Sequence, residues 1–275
     1  MSFRYAICNE TFQDWPHERA CEVAAATGYT GLELAPFTLA PLITDVSAER
    51  RRELRREAEA QGLTIIGLHW LLAKTEGYML TSPDADVRQR TGQYLADLAR
   101  ACRDFGGDIL VLGSPMQRRI PPGATRAQAE DFALDAIGHC LPELERQQVY
   151  LCLEPLAPTE TDFLQTAAEG KSMLDRIAHP FVKLHLDVKA MSSEAEPVPA
   201  VIRQFAPWMQ HFHANDTNRR GPGFGDTDFV PIFQALQDVA YAGWVSVEVF
   251  DYSPDPETIA RESLRHMREC AAKAS

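Results

Sequence analysis

The segment VYLCLEPLAPTETDFLQTAAEGKSMLDRIAHPFVKLHLD, residues 149–187, carries one complete unit of the chain's architecture. Residues 149–153 form a short β-rich run that ends on a carboxylate, Glu154, followed by Pro155. A polar loop leads into helical periodicity over 166–178. A second β-rich run, 182–186, ends on another carboxylate, Asp187. Strand, helix and strand in this order read as two parallel strands joined by a right-handed crossover.

The same rhythm extends outward in both directions. Strands are predicted at 3–8, 30–34, 63–68 and 108–112 on the N-terminal side, and at 209–212 and 244–249 on the C-terminal side. Helices are predicted at 14–27, 48–61, 84–105 and 125–146, then at 199–206, 229–240 and 256–272. Ser82-Pro83 and Gly106-Gly107 supply the start and stop signals of the longest one. The reading is eight strands and eight helices in strict alternation over 275 residues. A closed (β/α)8 TIM barrel fits that length better than an open doubly wound sheet. No glycine-rich turn follows the first strand to suggest a dinucleotide site. No linker rich in Pro, Gly or Ser divides the chain, so one TIM-barrel domain over 1–275 is expected.

Composition narrows the function classes. Hydrophobic residues make up 45% and charged residues 24%, ordinary values for a globular chain with a full core. The net charge of −12 and pI of about 5.1 argue against nucleic acid or an anionic membrane surface as partner. The runs around Arg50-Arg51-Arg52 and Arg55-Arg56 alternate with Glu49, Glu53 and Glu57 and read as a solvated helix face. Six scattered cysteines without a CxxC pair read as reduced thiols, and a cytoplasmic location is expected. Met1-Ser2-Phe3-Arg4-Tyr5 is read as leading directly into the first strand, with no signal peptide and no apolar run long enough to span a membrane.

In a barrel of this kind the chemistry sits at the C-terminal ends of the strands. Four successive strand ends present Glu154, Asp187, His213 and Glu248, each about one β/α unit apart. Three carboxylates and an imidazole form an oxygen-rich donor set that suits Mn²⁺, Mg²⁺ or Co²⁺ better than a structural zinc. A divalent cation would also relieve the repulsion among the carboxylates. One divalent ion per chain at these four residues is therefore expected.

The segments Leu153-Glu154-Pro155, Leu186-Asp187, His211-Phe212-His213 with Asn218-Arg219, and Val247-Glu248 resemble the xylose isomerase-like TIM-barrel superfamily, and within it the ketose 3-epimerases. The resemblance implies manganese as the usual metal and a small-molecule sugar as substrate. It implies that Glu154 and Glu248 are an acid/base pair acting through an enediolate, besides being ligands. It implies substrate contacts at Glu160 and Arg219, and a homo-oligomer. The pattern departs at Ala190, where ketose 3-epimerases carry a substrate-contacting histidine, and Lys189 lies beside it.

His69, beside Trp70, reads either as part of a sugar-stacking wall or as a packed rim pair. His185 and His211 share faces with Asp187 and His213 and read as substrate contacts or as supports behind the ligands. Glu33 closes the second strand without a decided role. No phosphate cradle opens a helix, so a substrate lacking a terminal phosphate is expected, with Arg219-Arg220-Gly221-Pro222-Gly223 the one segment that could hold one. The leading expectation is a metal-dependent sugar epimerase or isomerase. The alternative is a keto-sugar or inosose dehydratase on the same scaffold. An apurinic endonuclease is disfavoured by the acidic balance, and a binding-only barrel by the paired carboxylates.

Overall fold

A computed structural model describes residues 3–274. Met1 and Ser2, which open the segment expected to lead into the first strand, and Ser275 lie outside the described residues. Among the described residues, the strands are β1 (Arg4–Cys8), β2 (Gly31–Leu34), β3 (Thr64–Leu68), β4 (Ile109–Leu112), β5 (Tyr150–Leu153), β6 (Val182–Asp187), β7 (Met209–Ala214) and β8 (Trp244–Val247). They pair in parallel in chain order, and β8 closes on β1 to complete the expected barrel.

The crossovers carry α1 (His17–Thr27), α2 (Ala48–Ala60), α3 (Ala85–Phe105), α4 (Arg126–Gly138), α5 (Leu141–Gln147), α6 (Ala167–Ile177), α7 (Val188–Met191), α8 (Val198–Phe205) and α9 (Val230–Asp238), and α10 (Pro256–Lys273) follows β8. Strict alternation is thus corrected in two places. The helix expected over 125–146 is broken into α4 and α5. The N–H groups of Glu143 and Leu144 both turn back to Cys140 O and begin a new helix. Pro142 sits in the first turn of α5, where its missing N–H leaves no bond unmade. Between β6 and β7, the short α7 precedes α8. Its cap is Asp187 itself, whose Oδ1 accepts the N–H of Ala190 at 2.8 Å.

Side chains alternate faces along each strand. Leu32, Leu34, Leu184, Leu186 and Phe212 point outward and join Leu95, Leu98, Phe105 and Leu236 of the helices in one apolar shell. The other faces fill the lumen. A separate apolar group of Ile109, Val111 and Cys152, packed with Tyr150 and Trp244, occupies its lower part. By the same two-residue period, Gly113, Glu154 and Glu248 lie above that group, at the C-terminal end of the barrel. No helix among the described residues is long and apolar enough to cross a membrane. All six cysteines are free and buried.

Gly67 in β3 pairs with Ile109 in β4, and a Cβ there would stand 2.2 Å from Ile109 O. Gly67→Ala should lower the free energy of unfolding in urea by at least about 1–3 kcal/mol, because the strands must separate to admit the methyl group. Gly138→Ala, which meets nothing within 4 Å, should leave the transition midpoint unchanged or raise it.

Candidate metal centre and active site

Asp187 is the last residue of β6, and His213 lies one residue before the end of β7. Glu154 and Glu248 follow β5 and β8 directly. All four are almost wholly buried. One ligand atom each from Glu154, Asp187, His213 and His185 lie within 4.8 Å of one another. Glu248 joins this group through His213: its Oε2 is 3.2 Å from His213 Nδ1. Neither of those two atoms makes a hydrogen bond, and the two ring nitrogens of His185 are likewise without partners.

These orphaned atoms test whether a cation fits. A buried polar atom left without a partner costs about 1–3 kcal/mol. The Glu154 carboxylate also accepts no hydrogen bond among the described residues, although its backbone carbonyl does. A divalent ion would satisfy these atoms together, and carboxylates with an imidazole match a hard to borderline cation. The donor set fits the group.

Each side chain in the cluster is fixed from behind. Glu33 Oε2 accepts hydrogen bonds from Nε2 of both His211 (2.9 Å) and His213 (3.0 Å). That turns Nδ1 of His213 towards the ligand cluster, as a carboxylate behind a metal-binding imidazole does. Asp187 is held by Ala190 N on one oxygen and by the Asn215 side-chain amide on the other. His69 bridges two carboxylates: Nδ1 is 3.1 Å from Glu248 Oε1 and Nε2 is 2.8 Å from Glu10 Oε2. Arg118, fully buried, donates to Glu154 O at 2.6 Å and to Leu112 O at 3.3 Å. Gly113 makes room for Glu154, since a Cβ there would lie 1.5 Å from Oε2.

The electrostatics divide the carboxylates. Burial, reinforced by Glu248 and Asp187, pushes the Glu154 carboxyl well above its ordinary range. Burial and Glu248 push Asp187 up to about 6, with Lys189 opposing. Burial works in the same direction on Glu248, but His213 and His69 outweigh it and hold this carboxyl below the usual range. Burial also opposes the charged form of His213, yet Glu33 and Glu248 raise it well above an ordinary histidine. Burial, with His213 and His211 adding to it, keeps His185 neutral.

The mouth is partitioned by aromatic rings. Trp70 stacks on Phe250 with centroids 5.7 Å apart and packs against Phe37 at 5.6 Å. On the Phe37 side, a pocket of about 550 Å³ is lined by Glu10, Asp14, Trp15, Lys74 and Tyr252. On the Phe250 side, a pocket of about 570 Å³ is lined by Glu160, Lys189, Thr217 and Arg219. Lys189 Nζ is 2.7 Å from Glu160 Oε2 and 4.6 Å from the Phe250 ring centre, so it is a pocket group.

Among the expected substrate contacts, the structure brings Glu160 and Arg219 together in this second pocket. His69 and His185 are instead completely buried in the lumen, and both nitrogens of His69 are engaged by carboxylates. Sequence reasoning did not pick out Glu10, Gly113, Arg118 or Asn215. Glu10 lies two residues beyond β1, close enough for the strand-end rule to have reached it.

The sequence profile described as "Xylose isomerase-like TIM barrel" matches residues 21–270. A D-psicose 3-epimerase of Ruminiclostridium cellulolyticum is 28% identical over 244 residues, covering 86% of this chain and 80% of that protein. An L-ribulose 3-epimerase of Mesorhizobium japonicum is 29% identical over 188 residues, covering 67% and 62%. The crystal structure of D-psicose 3-epimerase with D-tagatose from Clostridium cellulolyticum H10 has a TM-score of 0.85 at 22% identity, covering 98% of this chain and 99% of that one, a likeness of fold.

Mn²⁺ or Co²⁺ added to chelator-stripped protein should raise its melting midpoint. The rise should be larger at about pH 7.5 than at about pH 5.5. The Asp187 carboxyl is pushed from 3.8 up to about 6, so in the cation-free protein its ionisation costs the folded state. Stability held below the unfolded pKa is then lost as pH rises through the folded one. A bound cation replaces the proton, so its contribution grows across that window. Scanning calorimetry at the two pH values measures this, and Gly113→Ala should remove most of the gain by displacing the Glu154 carboxylate. An identical midpoint with and without cation at the higher pH would contradict the metal centre.

Proposed function

The chain belongs to the xylose isomerase-like TIM barrel family, and from that premise we propose that it is a divalent-metal-dependent sugar epimerase or isomerase acting on a ketose or keto-polyol. The observation that carries this reading is a pair of buried carboxyls, Glu154 and Glu248, whose surroundings drive their protonation apart beside one cluster of orphaned ligand atoms. Opposed shifts in neighbouring carboxyls let one site supply both acid and base near neutral pH. The kinship with 3-epimerases of D-psicose and L-ribulose supports the same class of substrate.

Glu154, Asp187, His213 and Glu248 would hold the cation, with manganese the first choice and magnesium or cobalt behind it. When bound, the cation would supply Lewis-acid polarisation of the substrate carbonyl. Glu248 is the base in this scheme: it removes the proton from the carbon beside the carbonyl, and the C–H electron pair moves onto the carbonyl to give an enediolate. His69 and Glu10, hydrogen-bonded in line behind Glu248, fix its orientation. Glu154 returns a proton from the opposite face. Return to the same carbon inverts it; return to the other enediolate carbon, with the hydroxyl proton of the first carbon passing to the former carbonyl oxygen, moves the carbonyl. Arg219 and Lys189 hydrogen-bond the negative oxygen as it develops and the more remote hydroxyls, while Glu160 holds the Lys189 ammonium in place.

One observation favours the dehydratase as a second reading. Lys189 remains cationic because Asp187 and Glu160 outweigh the effect of burial. A cationic acid beside the substrate could protonate a departing hydroxyl.

With metal-saturated enzyme in D₂O, Glu248→Gln should abolish deuterium uptake into a reacting ketose and lower turnover about 10²–10⁴-fold. Glu154→Gln should slow product formation by a similar factor while leaving exchange at the deprotonated carbon measurable by NMR. Near-normal epimerisation by both variants would remove these residues from the proton transfers. Release of water with loss of a hydroxyl would select the dehydratase.

A further inference from the structure

We propose that His185 is a fifth protein ligand of the cation, an inference that rests on the metal reading above and extends it. His185 lies in β6 two residues before Asp187, so both side chains enter the lumen. It is completely buried, and neither ring nitrogen has a hydrogen-bond partner. The other lumen imidazoles are engaged: His69 by two carboxylates, His211 and His213 by Glu33. An imidazole with both its donor and its acceptor desolvated is a state that buried polar groups rarely adopt.

The surroundings of the ring indicate what its partner is. His185 Nε2 is 4.0 Å from Glu154 Oε1, and one ligand atom of each of Glu154, Asp187, His213 and His185 falls within the same 4.8 Å. Two donors about 2.1 Å from one ion can be at most about 4.2 Å apart. Among these four residues the Glu154–His185 pair already satisfies that limit for nearly opposite positions, and no pair needs to close by more than about 0.6 Å. The rings agree. Two imidazoles at right angles on one ion place their centres about 4.5 Å apart. Those of His185 and His213 are 4.1 Å apart with their planes at 71°.

A second imidazole changes the chemical class of metal the site takes. Three carboxylates with two imidazoles form a borderline donor set, which favours Co²⁺, Fe²⁺ or Ni²⁺ and disfavours Mg²⁺ more than an oxygen-dominated set does. His185 thus gives the site a means of excluding magnesium.

The test uses the whole protein, stripped with chelator and reloaded with Mn²⁺, in pulsed EPR that counts directly bound nitrogens. Two strongly coupled imidazole nitrogens are expected in the wild type and one in His185→Leu. Chelator competition with Co²⁺ should show the variant weakened by at least about the 10–100-fold lost when even an indirect partner of a ligand is removed, and its preference for Co²⁺ over Mg²⁺ should shrink. Metal-free His185→Leu should melt no lower than the metal-free wild type, because an apolar side chain replaces a desolvated polar one; a purely structural histidine would give the opposite. His185→Gln repeats the nitrogen count should the leucine variant fail to fold. A single bound nitrogen in the wild type, with Co²⁺ affinity unchanged in the variants, overturns the proposal and leaves His185 to a buried water. A wild type that binds no ion at this centre overturns the metal reading itself, and this proposal with it.

Discussion

Negative charge buried at the end of a closed barrel is the constraint on which the rest of the structure depends. Glu10, Glu33, Glu154, Asp187 and Glu248 are all nearly inaccessible to solvent. Two unit charges 4 Å apart repel by about 4 kcal/mol at an effective dielectric of 20. Mutual repulsion among Glu154, Asp187 and Glu248, fully ionised, would therefore approach the 5–15 kcal/mol that is the whole stability of a typical domain. The fold answers with hydrogen-bond donors and cations placed one by one, His211 among them as a neutral donor because burial lowers its pKa. His211 and His213 share Glu33, His69 lies between Glu10 and Glu248, and Arg118 faces Glu154. After those pairings Glu154 and Asp187 remain under-compensated, as their raised carboxyl pKa values record. The deficit and the orphaned ligand atoms coincide in space, so a divalent ion placed there would relieve both the charge imbalance and the missing partners.

The barrel and its four rim residues were legible because both signals are local. A strand announces itself by a short β-rich run, and its last residue is known once the run ends, so Glu154, Asp187, His213 and Glu248 could be found without any tertiary information. Apart from His211, read as a possible support because it shares a face with His213, supports that depend on distant partners could not. Arg118 stands in Gln117-Arg118-Arg119, which has the composition of a solvated loop, and its burial follows from carbonyls at Leu112 and Glu154 that only the folded barrel brings to it. His69, because it precedes Trp70, reads equally as part of a sugar wall or as a packed rim pair. Its ring turns into the lumen, where carboxylates from the far end of β8 and from the loop after β1 meet it. The break between α4 and α5 was hidden for a different reason: Pro142 sits at a position where a helix tolerates proline, so the residue marks a start rather than a defect.

The aromatic partition at the mouth links this buried charge to the outside. Trp70 holds a left-handed backbone conformation, φ 52°, that an L-residue with a bulky side chain adopts only under constraint. Its contacts with Phe37 and Phe250 supply that constraint. The rings separate an acidic pocket containing Glu10 and Asp14 from one in which Lys189 and Arg219 outnumber Glu160. A polyol above the ligand cluster would therefore meet unlike polar walls on its two sides and an apolar partition between them. Such asymmetry fixes orientation, which a reaction that distinguishes two faces of one carbon requires.

Register unites the two demands on β6. A slip of one residue would turn Asp187 and His185 into the outer shell and bring Leu184 and Leu186 into the lumen. Hydrophobic burial on one face and charge pairing on the other thus oppose the same error. The pairing of β6 with β7 shifts between Leu184 and His185, and beyond that irregularity His185 faces His211 and Asp187 faces His213. Without the shift, the layer of Asp187 and His213 and the layer of His185 and His211 beneath it would be offset across the two strands. A bulge next to a functional site redirects side chains at the expense of local pairing. Here it sets the imidazole of β7 level with the carboxylate of β6, and so allows four separate strand ends to address one point.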